Sequence, residues 1–176
     1  MRLFVAVTPP TSVLDHADAA VAPVRTEHSD LRWIPVERWH LTLAFYGEIP
    51  DTKVDGVTAM VTRKLQRAAI YRPIELRFAG AGQFSRRALW IALEGDIASL
   101  KKLAKAVITD RRPYRPHLTV ARLRGGVDAR PAVEQLAPYA GPVWRVDAVH
   151  LMRSHLGPKP RYETLVTWPV PLTEAG

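Results

Sequence analysis

The sequence predicts an α+β fold that contains a duplicated unit and antiparallel strands. Strand-like and helical patterns are mixed in both halves of the 176-residue chain, which is typical of α+β proteins. A segment that starts at His40 is nearly repeated 77 positions later, at His117, so each half contains the same local pattern. Short glycine-containing turns such as Ala79 to Gly82 favour antiparallel pairing over a doubly wound parallel sheet.

Strands are predicted where apolar residues alternate with polar ones or form short runs bounded by Gly or Pro. These segments are residues 3–7, 31–34, 39–46, 74–79, 88–93, 144–152 and 162–168, together with the segment that follows Pro116. Pro116 suits the first residue of a strand and argues against a helix at this point.

Helices are predicted where apolar residues recur every three or four positions. These segments are residues 11–23, 54–68, 97–107 and 128–139. The first begins at Thr11 and Ser12, the second follows Asp51 and Thr52, and the third follows Asp96. All of these residue types cap helices, because their side-chain oxygens can accept hydrogen bonds from the first backbone N–H groups.

The two copies of the repeated segment each place an imidazole and a hydroxyl on one face of a strand. Successive side chains of a strand point to opposite faces, so the histidine and the threonine share a face while the leucine between them points into the core. The copies read His40-Leu41-Thr42-Leu43-Ala44 and His117-Leu118-Thr119-Val120-Ala121.

Two histidines, one from each half, are the groups that acid and base catalysis on a phosphodiester requires. If the two strands face each other across a cleft, His40 and His117 lie on opposite sides of one phosphorus atom. Thr42 and Thr119 can then donate hydrogen bonds to its charged oxygens, and no metal or other cofactor is needed. A single His-x-Thr segment more often contains a structural, half-buried histidine, but the duplication favours the catalytic interpretation.

Further segments match a known family. Besides both His-x-Thr segments they are residues 1–7, 31–35, 45–47, 88–90, 112–116, 156–158 and 161–163. With these segments, nearly the whole chain resembles the RNA 2′,3′-cyclic phosphodiesterases, also called 2′-5′ RNA ligase-like proteins, of the 2H phosphoesterase superfamily. The resemblance implies a bilobal fold with two pseudo-symmetric antiparallel sheets, helices on the outside and a central cleft. It also implies that residues 1–176 are a single domain made of two interleaved lobes.

The resemblance also implies an activity, the metal-independent hydrolysis of nucleoside or RNA 2′,3′-cyclic phosphates to 2′-phosphates. It gives His40 the role of proton donor to the departing 3′ oxygen and His117 that of proton acceptor from water, with Thr42 and Thr119 beside them. The arginine that follows the second motif of the family corresponds to Arg122. Strand alternation places Arg122 on the face opposite His117 unless the strand ends or bulges before it.

Aromatic side chains are candidates for stacking on a base of the substrate. They are Phe45, Phe84, Tyr114 and Tyr162. Core packing is the alternative for each, and strand alternation places Phe45 on the core side of its strand.

The composition predicts a protein whose partners are anionic. The 25 Lys and Arg residues exceed the 17 Asp and Glu residues by enough to give a formal charge of +8, and they are spread along the chain. Such a surface attracts nucleic acid. The family resemblance implies more specific partners, RNA with 2′,3′-cyclic phosphate ends or small cyclic nucleotides. A 2′-5′ RNA ligase, a 2′-5′ phosphodiesterase and a basic RNA-binding module without catalysis are the alternative functions.

The chain has no cysteine, which excludes disulfides, thiolate metal sites and cysteine nucleophiles. No apolar run approaches the length of a membrane-spanning helix and no signal peptide is recognisable, so we expect a cytoplasmic monomer without a membrane partner. His16, His28, His150 and His155 lack metal-ligand spacing and receive no role. The arginines before the second segment, Arg111, Arg112 and Arg115, are either a solvated surface or a guide for the phosphate.

Overall fold

The computed structural model describes residues 1–84, 87–109, 113–124, 127–157, 160–170 and 172. The strands are β1 (Arg2–Val7), β2 (Arg32–Trp33), β3 (Leu41–Glu48), β4 (Glu75–Phe84), β5 (Ala88–Gly95), β6 (Leu118–Arg122), β7 (Trp144–Arg145), β8 (Ala148–His155) and β9 (Arg161–Pro169). The α-helices are α1 (Thr11–Glu27), α2 (Val54–Gln66), α3 (Ile97–Val107) and α4 (Arg130–Leu136), and 3₁₀ turns lie at Val36–Arg38 and Asp51–Lys53.

The strands form two antiparallel sheets, which confirms the predicted α+β class. The first sheet has the order β3-β1-β8-β9 and the second has the order β2-β6-β5-β4-β7. Strands from both ends of the chain make up the first sheet, and the second consists of the middle strands together with β2. One repeated segment therefore lies in each sheet, with β3 at an edge of the first and β6 between β2 and β5 in the second.

The apolar faces of both sheets and of the helices form one buried core. Most positions of α1 and α3 whose helical spacing predicts burial are buried, namely Val13, Leu14, Ala17, Val21, Leu100, Leu103, Ala104 and Val107. Ala20 and Ile97, which the same spacing predicts as buried, are only half-buried. Asp96 caps α3 as expected, because its carboxylate accepts a hydrogen bond of 3.1 Å from the Ser99 amide. The predicted cap at Asp51 and Thr52 is wrong, since these residues form a 3₁₀ turn and α2 begins without a side-chain cap.

The predicted turn from Ala79 to Gly82 is also wrong, because this stretch lies inside β4. The register with β5 shifts between Phe78 and Ala81, and Gly80 has a φ of 72°. A glycine adopts this left-handed backbone conformation without steric cost and so accommodates the irregularity within a continuing strand. Gly82 serves another purpose, since a Cβ there would lie 2.3 Å from the Trp90 ring.

A segment that crosses between the sheets connects the two halves of the molecule. We call residues 32–40 the crossing segment. It begins as β2, where Trp33 pairs with Ala121 of β6, and it ends at the residue before β3. Trp39 anchors it, because its side chain is 2% exposed and its indole Nε1 donates a hydrogen bond of 2.8 Å to the Ile34 carbonyl.

Within the described ranges, no helix combines the length and the hydropathy needed to cross a membrane.

Gly95 offers a test of the backbone geometry that joins β5 to α3. Its φ is +108°, and a Cβ there would lie 2.3 Å from the Glu75 carbonyl oxygen. We expect Gly95→Ala to lower the free energy of unfolding by about 1–3 kcal/mol or more, as measured by urea denaturation.

Gly56 of α2 provides the matched control, because a Cβ added at this position would have no atom within 4 Å. Gly56→Ala is expected to raise the free energy of unfolding by about 0.5–1 kcal/mol, since alanine favours helix interiors. Equal effects of the two substitutions would contradict the described β5–α3 junction.

Candidate active site

Both repeated segments contain a β-bulge at the residue that follows the threonine. The residues of β1 that oppose β3 skip Leu43, and the residues of β5 that oppose β6 skip Val120. The burial pattern along the two segments is accordingly the same, with two consecutive buried residues after the threonine and an exposed residue next. The two-fold repeat in the sequence is therefore a repeat in the backbone as well.

Each bulge turns the following residues to the opposite face of the strand. Arg122 and Phe45 occupy equivalent positions, five residues after the histidine, and both line the same cavity as the two threonines. Strand alternation predicts Arg122 on the face of His117 only if the strand ends or bulges before Arg122. The bulge at Val120 meets this condition. The prediction that alternation directs Phe45 into the core is wrong, since its side chain is 51% exposed.

The crossing segment joins one bulge to the other histidine. The Ile34 amide donates a hydrogen bond of 2.8 Å to the carbonyl of Val120, the bulge residue of β6. Six residues later, the same segment ends at His40. Backbone hydrogen bonds to the second sheet thus fix the position of the histidine that begins the first motif.

Both imidazoles are held by the same backbone contact. Nδ1 of His40 lies 2.9 Å from the Arg38 carbonyl oxygen, and Nδ1 of His117 lies 2.7 Å from the Arg115 carbonyl oxygen. A carbonyl oxygen only accepts hydrogen bonds, so Nδ1 carries the hydrogen in both rings. Nε2 is therefore the ring nitrogen of each histidine that remains available to a ligand.

One cavity of about 290 Å³ brings the two segments together. Its lining includes both histidines and both threonines of the repeat, His40, Thr42, His117 and Thr119. The cavity lining also contains arginines and aromatic side chains, and none of the described lining residues is acidic. The site is thus suited to an anion.

The cavity environment disfavours protonation of both imidazoles. Burial lowers the pKa of His40 to about 4, and the charges of Arg38, His117 and Arg122 add to this effect. Burial, with the charge of Arg122, likewise lowers the pKa of His117. Both rings are therefore neutral at pH 7 in the free protein, and an anion in the cavity would raise both pKa values.

Aromatic rings pack around each histidine and fix its orientation. The ring centroid of His40 lies 4.9 Å from that of Phe4 and 5.0 Å from that of Tyr162. The ring of His117 has an edge contact with Phe84 at 4.8 Å. These contacts restrict rotation of the imidazoles, so Nε2 keeps its direction.

The candidate stacking residues divide between two cavities. Phe45 and Tyr162 line the cavity that contains both histidines. Tyr114 and Phe84 line an adjoining cavity of about 350 Å³, which shares Thr42, Phe45 and His117 with the first. Burial raises the pKa of the Tyr114 hydroxyl, which has no hydrogen-bond partner in the described part of the chain.

Two arginines of the main cavity, Arg2 and Arg38, were missed by the sequence analysis. The repeat itself contained a clue to the second, because an arginine stands two positions before each histidine, at Arg38 and Arg115. The structure places Arg38 in the main cavity and Arg115 in the adjoining one. Arg111 and Arg112 lie outside the described residues.

The other four histidines have hydrogen-bond partners elsewhere in the structure. These pairs are His16 with Tyr139, His28 with Gln135, His150 with Thr167 and His155 with Glu163. Among the residues that the structure describes, no group of three His, Cys, Asp or Glu side chains could hold a metal ion.

Two antiparallel sheets, each with a His-x-Thr segment at one shared cavity, are the architecture of the two-histidine phosphoesterase class. A family model described as the 2′-5′ RNA ligase superfamily matches residues 13–158, and the chain belongs to this family. The family resemblance inferred from the sequence is thereby confirmed.

Two curated relatives of this chain have the same name. An RNA 2′,3′-cyclic phosphodiesterase of Geobacillus stearothermophilus is 30% identical over 152 residues, which are 78% of this chain and 47% of that relative. The chain thus spans about half the length of this relative. An RNA 2′,3′-cyclic phosphodiesterase of Thermus thermophilus is 31% identical over 186 aligned positions, covering 94% of this chain and 88% of that relative.

A solved structure supports the fold. The crystal structure of E. coli LigT complexed with 3′-AMP superposes with a TM-score of 0.74 at 22% identity, and the match covers 98% of each chain. The two-sheet architecture described above is therefore that of a known protein, which confirms the predicted bilobal fold class.

The electrostatics of the site can be measured by NMR titration of the histidine ring protons. We expect His40 to titrate near pH 4 and His117 below its ordinary value of about 6.5. Arg122→Gln removes a cation that acts on both rings, so both pKa values should rise. Arg63→Gln, on the exposed face of α2, removes an equal charge away from the cavity and should leave them unchanged. Titration of His40 near 6.5 in the unaltered protein would contradict the described burial.

Proposed function

We propose that this protein hydrolyses nucleoside or RNA 2′,3′-cyclic phosphates to 2′-phosphates, with the two histidines as acid and base and without a metal ion. The observation that carries the proposal is the matched pair of imidazoles in one cavity, each with Nδ1 at a carbonyl oxygen, which leaves Nε2 as the nitrogen for proton transfer. The names of the Geobacillus stearothermophilus and Thermus thermophilus relatives, both RNA 2′,3′-cyclic phosphodiesterases, support the same substrate class.

The reaction needs two proton transfers, which the two rings can divide between them. His117 Nε2 takes a proton from a water molecule as the water oxygen forms a bond to phosphorus. The bond between phosphorus and the 3′ oxygen breaks, and that oxygen takes the proton from His40 Nε2. The product is a 2′-phosphate with a free 3′ hydroxyl, and proton exchange with solvent restores both rings.

The charge of the transition state is stabilised by groups from both lobes. The hydroxyls of Thr42 and Thr119 lie in the same cavity as the histidines and can donate hydrogen bonds to the two non-bridging oxygens. Arg122 adds a guanidinium, and Phe45 and Tyr162 offer aromatic surfaces for the nucleoside. All five of these residues lie on β-strands, which hold them in place before the substrate binds. Little reorganisation therefore accompanies the reaction.

The lowered pKa values of the two histidines fit an enzyme in which one imidazole takes up a proton when the substrate binds. A buried cavity lining without acidic residues among those described disfavours the imidazolium form, and the phosphate anion of the substrate reverses this effect. Protonation of one ring is thereby coupled to occupation of the cavity. The other ring stays neutral, because two imidazolium ions in one cavity repel each other.

Replacement of either catalytic histidine tests the roles directly. We expect His40→Ala and His117→Ala each to lower kcat on a 2′,3′-cyclic phosphate by about 10²–10⁴-fold, because each removes one proton transfer. Product formation is followed by chromatography that separates 2′-phosphates from 3′-phosphates, in the presence of excess chelator.

His28→Ala is the matched control, since this ring lies outside the cavity and its substitution should leave the rate unchanged. Near-normal rates in either catalytic variant, a 3′-phosphate product or loss of turnover in chelator would contradict the mechanism. RNA binding that weakens with salt and yields no product would favour the non-catalytic alternative. Joining of cyclic-phosphate and 5′-hydroxyl RNA ends would favour a ligase.

The pH dependence of kcat/KM reports on the free protein. The reaction requires one protonated and one neutral imidazole, and both pKa values lie below 6.5. The protonated fraction of the acid is therefore lost as pH rises through these lowered values. We expect a bell-shaped profile with its maximum below pH 6.5, and a maximum above pH 7 would contradict the assignment.

A further inference from the structure

We propose that Arg38 is a second phosphate-binding residue of the cavity, which contacts the substrate's phosphoryl group from the side of His40. The inference rests on the proposed function for its substrate class, and it assigns a role to a residue beyond the paired His-x-Thr segments and Arg122.

Arg38 brings a guanidinium to the cavity that contains both histidines. Its charge lowers the pKa of His40, as does that of Arg122. Arg38 comes from the crossing segment and Arg122 from β6. The two arginines whose charges act on His40 thus reach the cavity from different parts of the chain.

An aromatic ring, and not a carboxylate, supports the guanidinium. The guanidinium carbon lies 5.2 Å from the centroid of the Tyr162 ring, and Nη2 lies 3.4 Å from the Tyr162 hydroxyl. No carboxylate within the described ranges forms an ion pair with Arg38. Stacking on an aromatic face orients an arginine and leaves its charge uncompensated.

The surroundings of the side chain make this uncompensated charge costly without a ligand. Nε of Arg38 is buried and has no hydrogen-bond partner in the described structure. An unpaired buried donor destabilises the fold, so a purely structural role would call for an acceptor beside it. A phosphoryl group supplies the missing negative charge to the guanidinium through its terminal nitrogens, Nη1 and Nη2.

Comparison with Arg115 shows that the repeat alone does not place the Arg38 side chain in the main cavity. Arg115 stands at the same distance before His117 as Arg38 before His40, and both backbone carbonyls hold the histidine rings. The Arg115 side chain nevertheless lines the adjoining cavity. The backbone role is therefore common to both lobes, whereas a guanidinium in the main cavity at this position is particular to the first.

The test measures binding of adenosine 2′-monophosphate, the product expected from a cyclic adenosine phosphate, by calorimetry. We expect Arg38→Gln to weaken binding by about 10-fold or more, as loss of a charge-assisted hydrogen bond does, and to lower kcat/KM on the cyclic phosphate in the same direction. Arg63→Gln removes an equal charge from an exposed helix and should change binding by less than about 2-fold. Arg38→Met, which removes the charge and keeps a long unbranched side chain, replaces Arg38→Gln if that variant does not fold.

The outcomes separate this proposal from the proposed function. Equal binding by the Arg38 and Arg63 variants, with normal turnover by the unaltered protein, overturns the role of Arg38 alone. Weaker binding by the Arg38 variant in a protein that does not hydrolyse cyclic phosphates supports the role of Arg38 and overturns the proposed function. Failure of the unaltered protein to bind the nucleotide overturns the role of Arg38.

Discussion

The hydrogen bonds that attach the crossing segment to β6 are the constraint on which the site depends. A cavity between two sheets changes shape with any movement of one sheet against the other. Here the Ile34 amide donates to the Val120 carbonyl at 2.8 Å, and the same segment continues directly to His40. Because Val120 is also the bulge residue that turns Arg122 toward the cavity, one short stretch of backbone sets the position of groups from both lobes.

The chemical character of the cavity follows from what surrounds these groups. Its described lining contains three arginines and two histidines and no acidic residue. Burial and neighbouring positive charge both lower the pKa of His40, so the free protein is electrostatically unfavourable for a protonated ring. A phosphate anion relieves this repulsion. In the proposed mechanism, substrate binding and the protonation that acid catalysis needs are thus two consequences of the same charge arrangement.

The sequence predicted the parts of this molecule that depend on local patterns. Apolar spacing located the buried faces of α1 and α3, and the repeat located the two histidines and threonines. The prediction of which strand face a residue occupies was wrong at Phe45, where a bulge changes the alternation. A bulge depends on pairing with the partner strand, so the sequence of the bulged strand does not reveal it. The pairing of β2 with β6 could not be predicted from the sequence either, since a strand of two residues has no periodicity.

A crystal structure of the nucleoside–vanadate complex, a mimic of the five-coordinate transition state, would show whether the two imidazoles act on opposite sides of one phosphorus atom. We expect Nε2 of His40 and Nε2 of His117 within about 3 Å of the two apical oxygens, on opposite sides of vanadium. Both Nδ1 atoms should keep their bonds to the Arg38 and Arg115 carbonyls. A complex in which both rings approach the same side, or in which one Nε2 turns away from vanadium, would contradict catalysis by two opposed imidazoles.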